Sequence, residues 1–416
     1  MARVIFHCDL NSFYASVELL THPELRHLPV AVCGDPESRH GIILAKNEPA
    51  KRFGVQTAET IWQARRKCPD LVLLPAHHAR YRALSQQING IYQAYTDLVE
   101  PFGIDESWLD VTGTLHLFGG DPKALADALR ARVRRELGLT ISVGVSFNKV
   151  FAKLGSDYKK PDATTVITRE NFRRIVWPLP VSDLLYVGRA ANGAFRRFGI
   201  RTIGDLAAFD RDALFTLLGK NGVLLHDFAN GEDRAPVSPA RQHEAPKSVG
   251  NGHTFSHDLV GREALRAGIV RLADQVAARL RSCGMKCQGV ALSIRDPAFH
   301  DLSRQRPVDP PTNLSRELAQ AAMALAEDCW SMTAPVRALT VTAIQLIPEE
   351  ETGVQLNLLA GPQEEKRRRL EKLEGTLDAI RARYGAGAIA PASAPEDRSA
   401  RHAPPPGGRN PSGGQA

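Results

Sequence analysis

The chain predicts an α+β protein of several domains, and three observations carry that expectation. Its 416 residues exceed one ordinary domain, so about two to four are expected. Residues 1–165 alternate short apolar strands with helical stretches, the pattern of helices layered on one sheet face. The texture then changes twice. Short-looped helical sequence runs over about 166–235, prolines gather between Pro236 and Pro246, and a second strand–helix pattern spans Lys247 to about Pro348.

The elements follow in order. Val4-Ile5-Phe6-His7-Cys8 is an apolar run, read as a buried strand ending at Asp9. Helices are expected at Ser12–Leu20, Glu48–Phe53, Thr60–Lys67 and Tyr81–Leu98. Val99–Ile104 and Trp108–Val111 read as strands flanking a hairpin that carries Asp105-Glu106. A helix over Pro122–Leu137, a strand over Thr140–Val145 and the segment Phe147–Asp157 complete the first domain. Leu184–Arg189 followed by Gly199–Leu206 looks like a helix–hairpin–helix whose loop glycine lets backbone amides approach a DNA phosphate; a plain helical hairpin fits the same residues. The later domain predicts helices at Arg262–Cys283 and Leu314–Trp330, and strands at Val290–Arg295 and Val336–Leu346. After Pro348 come acidic residues, the pentapeptide Gln355-Leu356-Asn357-Leu358-Leu359, and a charged helix around Glu364–Tyr384. From Gly385 on, Ala, Pro, Gly, Ser and Arg dominate; that composition cannot bury a core, and disorder is expected.

Asp105-Glu106 is the sharpest chemical signal. Most Asp-Glu dipeptides sit in solvated turns, but here the flanks are apolar enough for buried strands, where carboxylates are costly unless a metal or partner neutralises them. Asp9, ending its own apolar strand, poses the same problem. Acids from separate strands, brought side by side, make a site for two divalent cations that stabilise the attacking and leaving oxygens of phosphoryl transfer. Oxygen ligands suit Mg²⁺.

The charge balance points to a polyanionic partner. Of a net +7, the stretch from Leu129 to Arg174 supplies as much by itself, with eleven Lys/Arg against four Asp/Glu. Arg130, Arg132, Arg134 and Arg135 read equally well as a solvated helix face; Lys149, Lys153, Lys159 and Lys160, among glycines and prolines, fit that reading less well. At 43% hydrophobic and 24% charged the composition is that of a soluble globular protein. No apolar run approaches the roughly eighteen residues of a membrane span, and Met1-Ala2-Arg3-Val4 leads straight into a strand, so no membrane role and a cytoplasmic location are expected. The six cysteines show no disulfide framework. Cys283 and Cys287 lack a second Cys/His pair at zinc-site distance, and His77-His78, His253 and His257 read as structural or surface groups.

Three separated blocks in one order are similar to a known family: Asp9-Leu10-Asn11-Ser12-Phe13-Tyr14-Ala15-Ser16-Val17-Glu18, then Ile104-Asp105-Glu106-Ser107, then Gly144–Lys153 followed by Ser156-Asp157 and Lys160-Pro161. The chain resembles the Y-family, or translesion, DNA polymerases, in particular the bacterial DNA polymerase IV (DinB) group, over residues 1 to about 385. The resemblance implies a right-hand polymerase with palm, fingers and thumb, plus a little-finger domain. The catalytic palm and fingers take 1–165 (fingers about 11–77), the thumb 166–235, a linker 236–242, the little finger 243–348 and a tail 349–416.

It further implies low-fidelity, DNA-templated synthesis across damaged template, from dNTP to a primer 3′-hydroxyl, working as a monomer in the cytoplasm and nucleoid. On this map Asp9 and Asp105 bridge two Mg²⁺ ions with the Leu10 carbonyl as a further ligand, and Glu106 serves the ion at the primer hydroxyl. Phe13, Tyr14, Lys51, Arg52 and Lys160 fall in the nucleotide site, with Tyr14 as the steric gate against a 2′-hydroxyl. Arg52 reads equally well as a solvent-facing charge. Gly188 and Arg189 fall in the DNA-binding hairpin. Gln355, Leu356, Leu358 and Leu359 resemble a peptide that docks on the sliding clamp (its beta-type subunit). The chain departs from the family at Asn11, often Asp; at Glu48, commonly Tyr; at Lys51, usually Arg; and at Tyr186, which replaces a hairpin glycine. A catalytically idle scaffold is the rival reading, and the presence of all three acids argues against it.

Overall fold

The apolar run after Val4 forms β1 (Ile5–Leu10), a strand buried along its whole length, and the first half of the chain is built around it. The computed structural model describes residues 3–35, 41–240, 245–351, 361–385 and 387–390, and divides the chain into two units, 1–243 and 244–416.

In the first unit β1 is followed by α1 (Phe13–Thr21), β2 (Val30–Cys33), β3 (Ile43–Lys46), α2 (Glu48–Arg52), α3 (Ile61–Lys67), β4 (Val72–Pro75) and α4 (His78–Gln93). Then come β5 (Val99–Pro101), β6 (Glu106–Asp110), α5 (Pro122–Leu137), β7 (Ile141–Ser146), α6 (Lys149–Tyr158) and β8 (Thr164–Ile167). A five-stranded sheet runs β5-β6-β1-β7-β8, and β3-β2-β4 form a small separate sheet. Strand alternation gives β1 two faces. Phe6, Cys8 and Leu10 join Tyr81 and Ile88 of α4 and Leu125, Leu129 and Val133 of α5 in one core. Ile5 turns the other way, toward Trp108 and Ala152. On that second face α6 lies hard against β7: a Cβ on Gly144 would overlap the Ala152 carbonyl oxygen, so only glycine allows the approach.

Helix α5 has the bounds its sequence announces. Asp121 accepts from Lys123 N at 2.9 Å, Pro122 opens the helix, and Gly138 ends it at φ 67°. Helix α4 stops at Gln93 instead of reaching Leu98, because the sheet takes over the chain. The Thr96 hydroxyl donates to Asp110 O at 2.7 Å, and Asp110 N donates to Leu98 O at 3.0 Å. The strand expected from Trp108 starts two residues earlier, at Glu106.

Helices α7 (Phe172–Val176), α8 (Arg189–Arg197), α9 (Ile203–Ala208), α10 (Arg211–Leu218) and α11 (Lys220–Ala229) close the first unit around a core that includes Phe195, Ile203, Leu206 and Leu225. Beyond them Val237 is buried with Ile5 and Trp108, and Ala240 N donates to Asp97 O at 3.1 Å, so the proline-rich stretch up to residue 240 is laid along the sheet.

The second unit comprises β9 (Ser248–Leu259), α12 (Arg262–Ser282), β10 (Met285–Arg295), β11 (Asp301–Thr312), α13 (Ser315–Cys329), β12 (Val336–Pro348) and α14 (Gly361–Tyr384). Its sheet runs β11-β10-β12-β9. The core of this unit joins α12 and α13 to β10 and β12. The sequence had announced only β10 and β12. The two strands it hid are the edges. β11 carries Pro307, Pro310 and Pro311, which lack a ladder donor and are tolerated at an edge. β9 carries Gly250 and Gly252, where a Cβ would run into the Thr342 and Thr340 hydroxyls. Helix α14 is joined to this unit by ion pairs. Arg281 of α12 reaches Glu374 and Asp378, Arg381 reaches Asp274, and Lys286 reaches Glu371. Glu374 also accepts from Ser315 N at 3.0 Å and Ser315 Oγ at 2.6 Å, capping α13 from outside.

All six cysteines are free thiols. Among the described residues, no helix is long and apolar enough to cross a membrane. The pentapeptide Gln355–Leu359 and the segment from 391 on lie outside the described residues.

Candidate active site

Sheet register brings the three acids together. β1 and β6 are antiparallel, with Asp9 directly opposite Glu106. Asp105 occupies the turn before β6, and its carbonyl accepts from Leu10 N at 3.0 Å. The three carboxylates therefore crowd one end of two adjacent strands. Asp9 is buried, at 6% exposure; Asp105 and Glu106 are half-buried.

Helix α6 and the loop after it supply countercharge. Lys153 Nζ lies 2.5 Å from Glu106 Oε2, and Lys160 Nζ lies 2.7 Å from Asp9 Oδ2 and 2.6 Å from Asp157 Oδ1. Asn148 sets the start of α6 by accepting from Phe151 N at 2.7 Å. His7, fully buried, pairs its Nδ1 with Ser156 Oγ at 2.8 Å. Its Nε2 comes within 3.1 Å of Glu106 Oε2 without hydrogen-bond alignment. Burial, the largest influence, lowers the His7 pKa against the opposing pull of Glu106.

The acids divide electrostatically. Burial pushes Asp9 up to about 6, outweighing Lys160. Burial and the neighbouring Glu106 also raise Asp105. Glu106 feels the same burial, but His7 and Lys153 outweigh it and hold its carboxyl at about 2. Lys160 is desolvated too, yet Asp9 and Asp157 raise it and keep it charged. Two of three carboxylates thus lack enough positive charge for their burial.

A divalent cation fits this donor set by chemistry. Hard oxygen donors sit on adjoining strand ends, and two of them are under-compensated. Among the described residues, no three Asp, Glu, His or Cys side chains converge as a ready-made metal cluster, since Glu106 turns to Lys153 and Asp9 to Lys160.

The residues of the expected nucleotide site divide by environment. Tyr14, half-buried on α1, is stacked on Tyr81 at 4.1 Å and 14°, with His78 edge-on at 5.7 Å. Tyr81 is fully buried, and its hydroxyl donates to the buried Glu18. The ring of Phe13 is core, 3% exposed, which leaves its backbone for any ligand. Ser12 bends the chain before α1 with φ 50°, and its hydroxyl donates to Glu48 Oε1 at 3.4 Å. Glu48 in turn holds Lys51 Nζ at 2.5 Å, so the two residues expected to depart from the family form one ion pair. Arg52 is exposed. Asn11 is buried with both ends of its amide used: Nδ2 donates to Ser142 Oγ at 2.9 Å, and Oδ1 accepts from Asp162 N at 2.8 Å. An ionised aspartate could only accept there, so the Ser142 hydroxyl would have to turn and donate.

In the α8 hairpin, Val187 N donates to Leu184 O at 3.0 Å, closing a turn in which Tyr186 stands at φ 69°. That position ordinarily calls for glycine. Gly188 precedes Arg189 at the α8 N-terminus, and the space beside its Cα is open. Sequence reasoning gave no site role to His7, Tyr81 and Glu18, and read Lys153 only as one of the basic residues facing a polyanion. His7 and Glu18 lay inside quoted motifs as polar residues in apolar surroundings; nothing marked Tyr81.

Comparison with known proteins gives a consistent set of relatives. The profile of the impB/mucB/samB family matches residues 8–157, and that of the same family's C-terminal domain matches 246–358. DNA polymerase IV of Acetivibrio thermocellus is 47% identical over 385 residues, covering 92% of this chain and 96% of the relative. DNA polymerase IV of Bacillus velezensis is 37% identical, covering 93% and 92% respectively. Among solved structures, a Y-family DNA polymerase chimera superposes with a TM-score of 0.73 at 20% identity, covering 83% of this chain and 99% of the chimera.

Proposed function

The chain belongs to the impB/mucB/samB family, as a Y-family DNA polymerase of the DNA polymerase IV type, and on that premise we propose that Asp9, Asp105 and Glu106 are its catalytic carboxylates. The protein is a DNA-directed DNA polymerase of low fidelity that performs translesion synthesis, using primer–template DNA, dNTP and a divalent metal cofactor. One observation carries the site assignment: the register that sets Asp9 against Glu106, with Asp105 held beside them by Leu10 N.

Asp9 and Asp105 would hold the metal, with two Mg²⁺ ions as the intended occupants and the Leu10 carbonyl as an added donor. Glu106 faces the primer 3′-hydroxyl. When bound, the cations would supply the charge that polarises that hydroxyl and neutralises the departing pyrophosphate. Lys153 and Lys160 occupy the carboxylates otherwise, so they keep the acids ionised and aimed, and Lys160 becomes available to the triphosphate. Tyr14, stiffened by Tyr81, is the wall beneath the sugar. Lys51 and Arg52 meet the triphosphate from α2. Because Lys51 starts from an ion pair with Glu48, it is a weaker clamp than an unpaired fork of arginine. Gly188 and Arg189 touch the DNA backbone. Gln355, Leu356, Leu358 and Leu359 dock on the sliding clamp, and the enzyme works as a monomer at the nucleoid in the cytoplasm.

The test is primer extension by the wild-type chain with magnesium, on undamaged and on lesion-bearing templates, with product sequencing. Templated extension with frequent misinsertion and bypass of at least one lesion is expected. Failure to extend any primer overturns the reading.

A further inference from the structure

Helix α3 carries a large aromatic side chain that its own fold does not use. Trp62 is 66% exposed, and the guanidinium of Arg66, one turn on, lies 4.9 Å from the centre of its ring. An indole is costly to leave in water at this extent, and the small core of this sheet is built without it, from residues such as Ile43, Ala50, Val55 and Ala64.

The mounting is rigid. Thr60 and Gln63 form a reciprocal capping box at the start of α3. At its end Lys67 donates to Gly54 O at 3.0 Å and pairs with Glu59 at 2.5 Å. Gly54 follows Phe53, itself 54% exposed at the end of α2. The other end of α2 is tied to the nucleotide site through Glu48 and Ser12. The surroundings are basic: residues 48–67 hold five Lys/Arg against two Glu, and both Glu are paired with lysines.

A preorganised aromatic face backed by arginine, in a basic segment whose other end is tied to the nucleotide site, matches how unpaired nucleic-acid bases are held. Bases stack on the ring, and arginine and lysine follow the phosphates. We propose that Trp62 and Arg66 form a stacking site for an unpaired base of the single-stranded template ahead of the catalytic acids. The proposal rests on the polymerase reading above. The site accepts any base, since each offers a π-face, and it holds template whose next base is damaged or absent.

The test measures binding of the full-length protein to labelled primer–templates by fluorescence anisotropy, without dNTP, with 5′ template overhangs from none to about ten nucleotides. The wild type is expected to gain about tenfold in affinity once the overhang reaches α3, the scale of one stacked base. Trp62→Ala abolishes that gain and binds blunt duplex like the wild type, while Trp62→Phe retains most of it. Arg66→Gln lowers the gain and flattens its salt dependence by close to one phosphate contact, about 0.7 in the logarithmic slope for a single strand. An undiminished gain in Trp62→Ala overturns the proposal and leaves the surface for a protein partner. Equal losses on blunt and overhanging DNA overturn it as well. Wild-type primer extension, run in parallel, reports separately on the parent reading.

Discussion

In the second unit, Arg281 lies under α14 with Asp378 Oδ2 2.6 Å from its Nε and Glu374 at its Nη1, while Glu374 also caps α13. At the end of β1 in the first unit, Asp9 and Asp105 are buried with less countercharge than they need, and their pKa values rise. Burial opposes charge in both places. Around Arg281 in the second unit each charge meets an opposite charge or a backbone donor, and Arg281 stays more firmly protonated than usual. In the first, the shortfall remains. Full pairing of buried charge marks an architectural joint, and incomplete pairing marks a place built to receive a cation.

Breaking the paired side has the largest expected effect. Arg281→Met strands Glu374 and Asp378 and should cost about 4 kcal/mol in denaturant unfolding of the second unit, within the range for losing one partner of a buried pair. A loss below 1 kcal/mol would reduce the joint to a surface ion pair.

The under-paired side should respond with the opposite sign. Asp9 has a folded pKa of about 6, above the usual carboxylate value, so its contribution is favourable at low pH and is lost as pH rises through 6. Asp9→Asn removes that penalty. In metal-free buffer at pH 8 the variant should be more stable than the wild type by about 2–3 kcal/mol, with the difference closing near pH 4. Added magnesium should narrow the gap by stabilising only the wild type. A variant that is less stable at pH 8 contradicts the shortfall.

Smaller effects sharpen the contrast between function and stability around the same centre. Tyr14→Ala should weaken the preference for dNTP over rNTP by about tenfold or more, ~1.4 kcal/mol in relative kcat/KM. An unchanged ratio in single-nucleotide kinetics removes Tyr14 as the gate. Tyr186→Gly relieves a left-handed aromatic residue and should raise stability by about 1 kcal/mol. Unchanged or lowered stability would mean that the ring, near Phe228, offsets the strain.

The legible parts of the chain were those where local chemistry and final packing agree. Asp121, Pro122 and Gly138 announce α5, and the apolar run to Asp9 announces β1. The edges of the second sheet were illegible because β9 and β11 are specified by their neighbours: Gly250 and Gly252 by facing threonines, and the prolines of β11 by the absence of a partner on one side. At the site, the three acids stood out as charges in apolar flanks. The lysine that meets Glu106 did not, because Lys153 was one of several lysines in a basic segment, and only the close approach of α6 at Gly144 selects it. Tyr81 was hidden for a similar reason, since its stacking under Tyr14 is a contact between distant helices.

The central claim is that the acid cluster at the ends of β1 and β6 performs the chemistry. Single-turnover incorporation by Asp105→Asn, compared with its primer–template affinity, tests it most directly. A fall in rate of about a thousandfold, equivalent to ~4 kcal/mol, with DNA affinity within about twofold of wild type, is the predicted result. Incorporation at the wild-type rate, or a loss of rate matched by a loss of DNA binding, would contradict it.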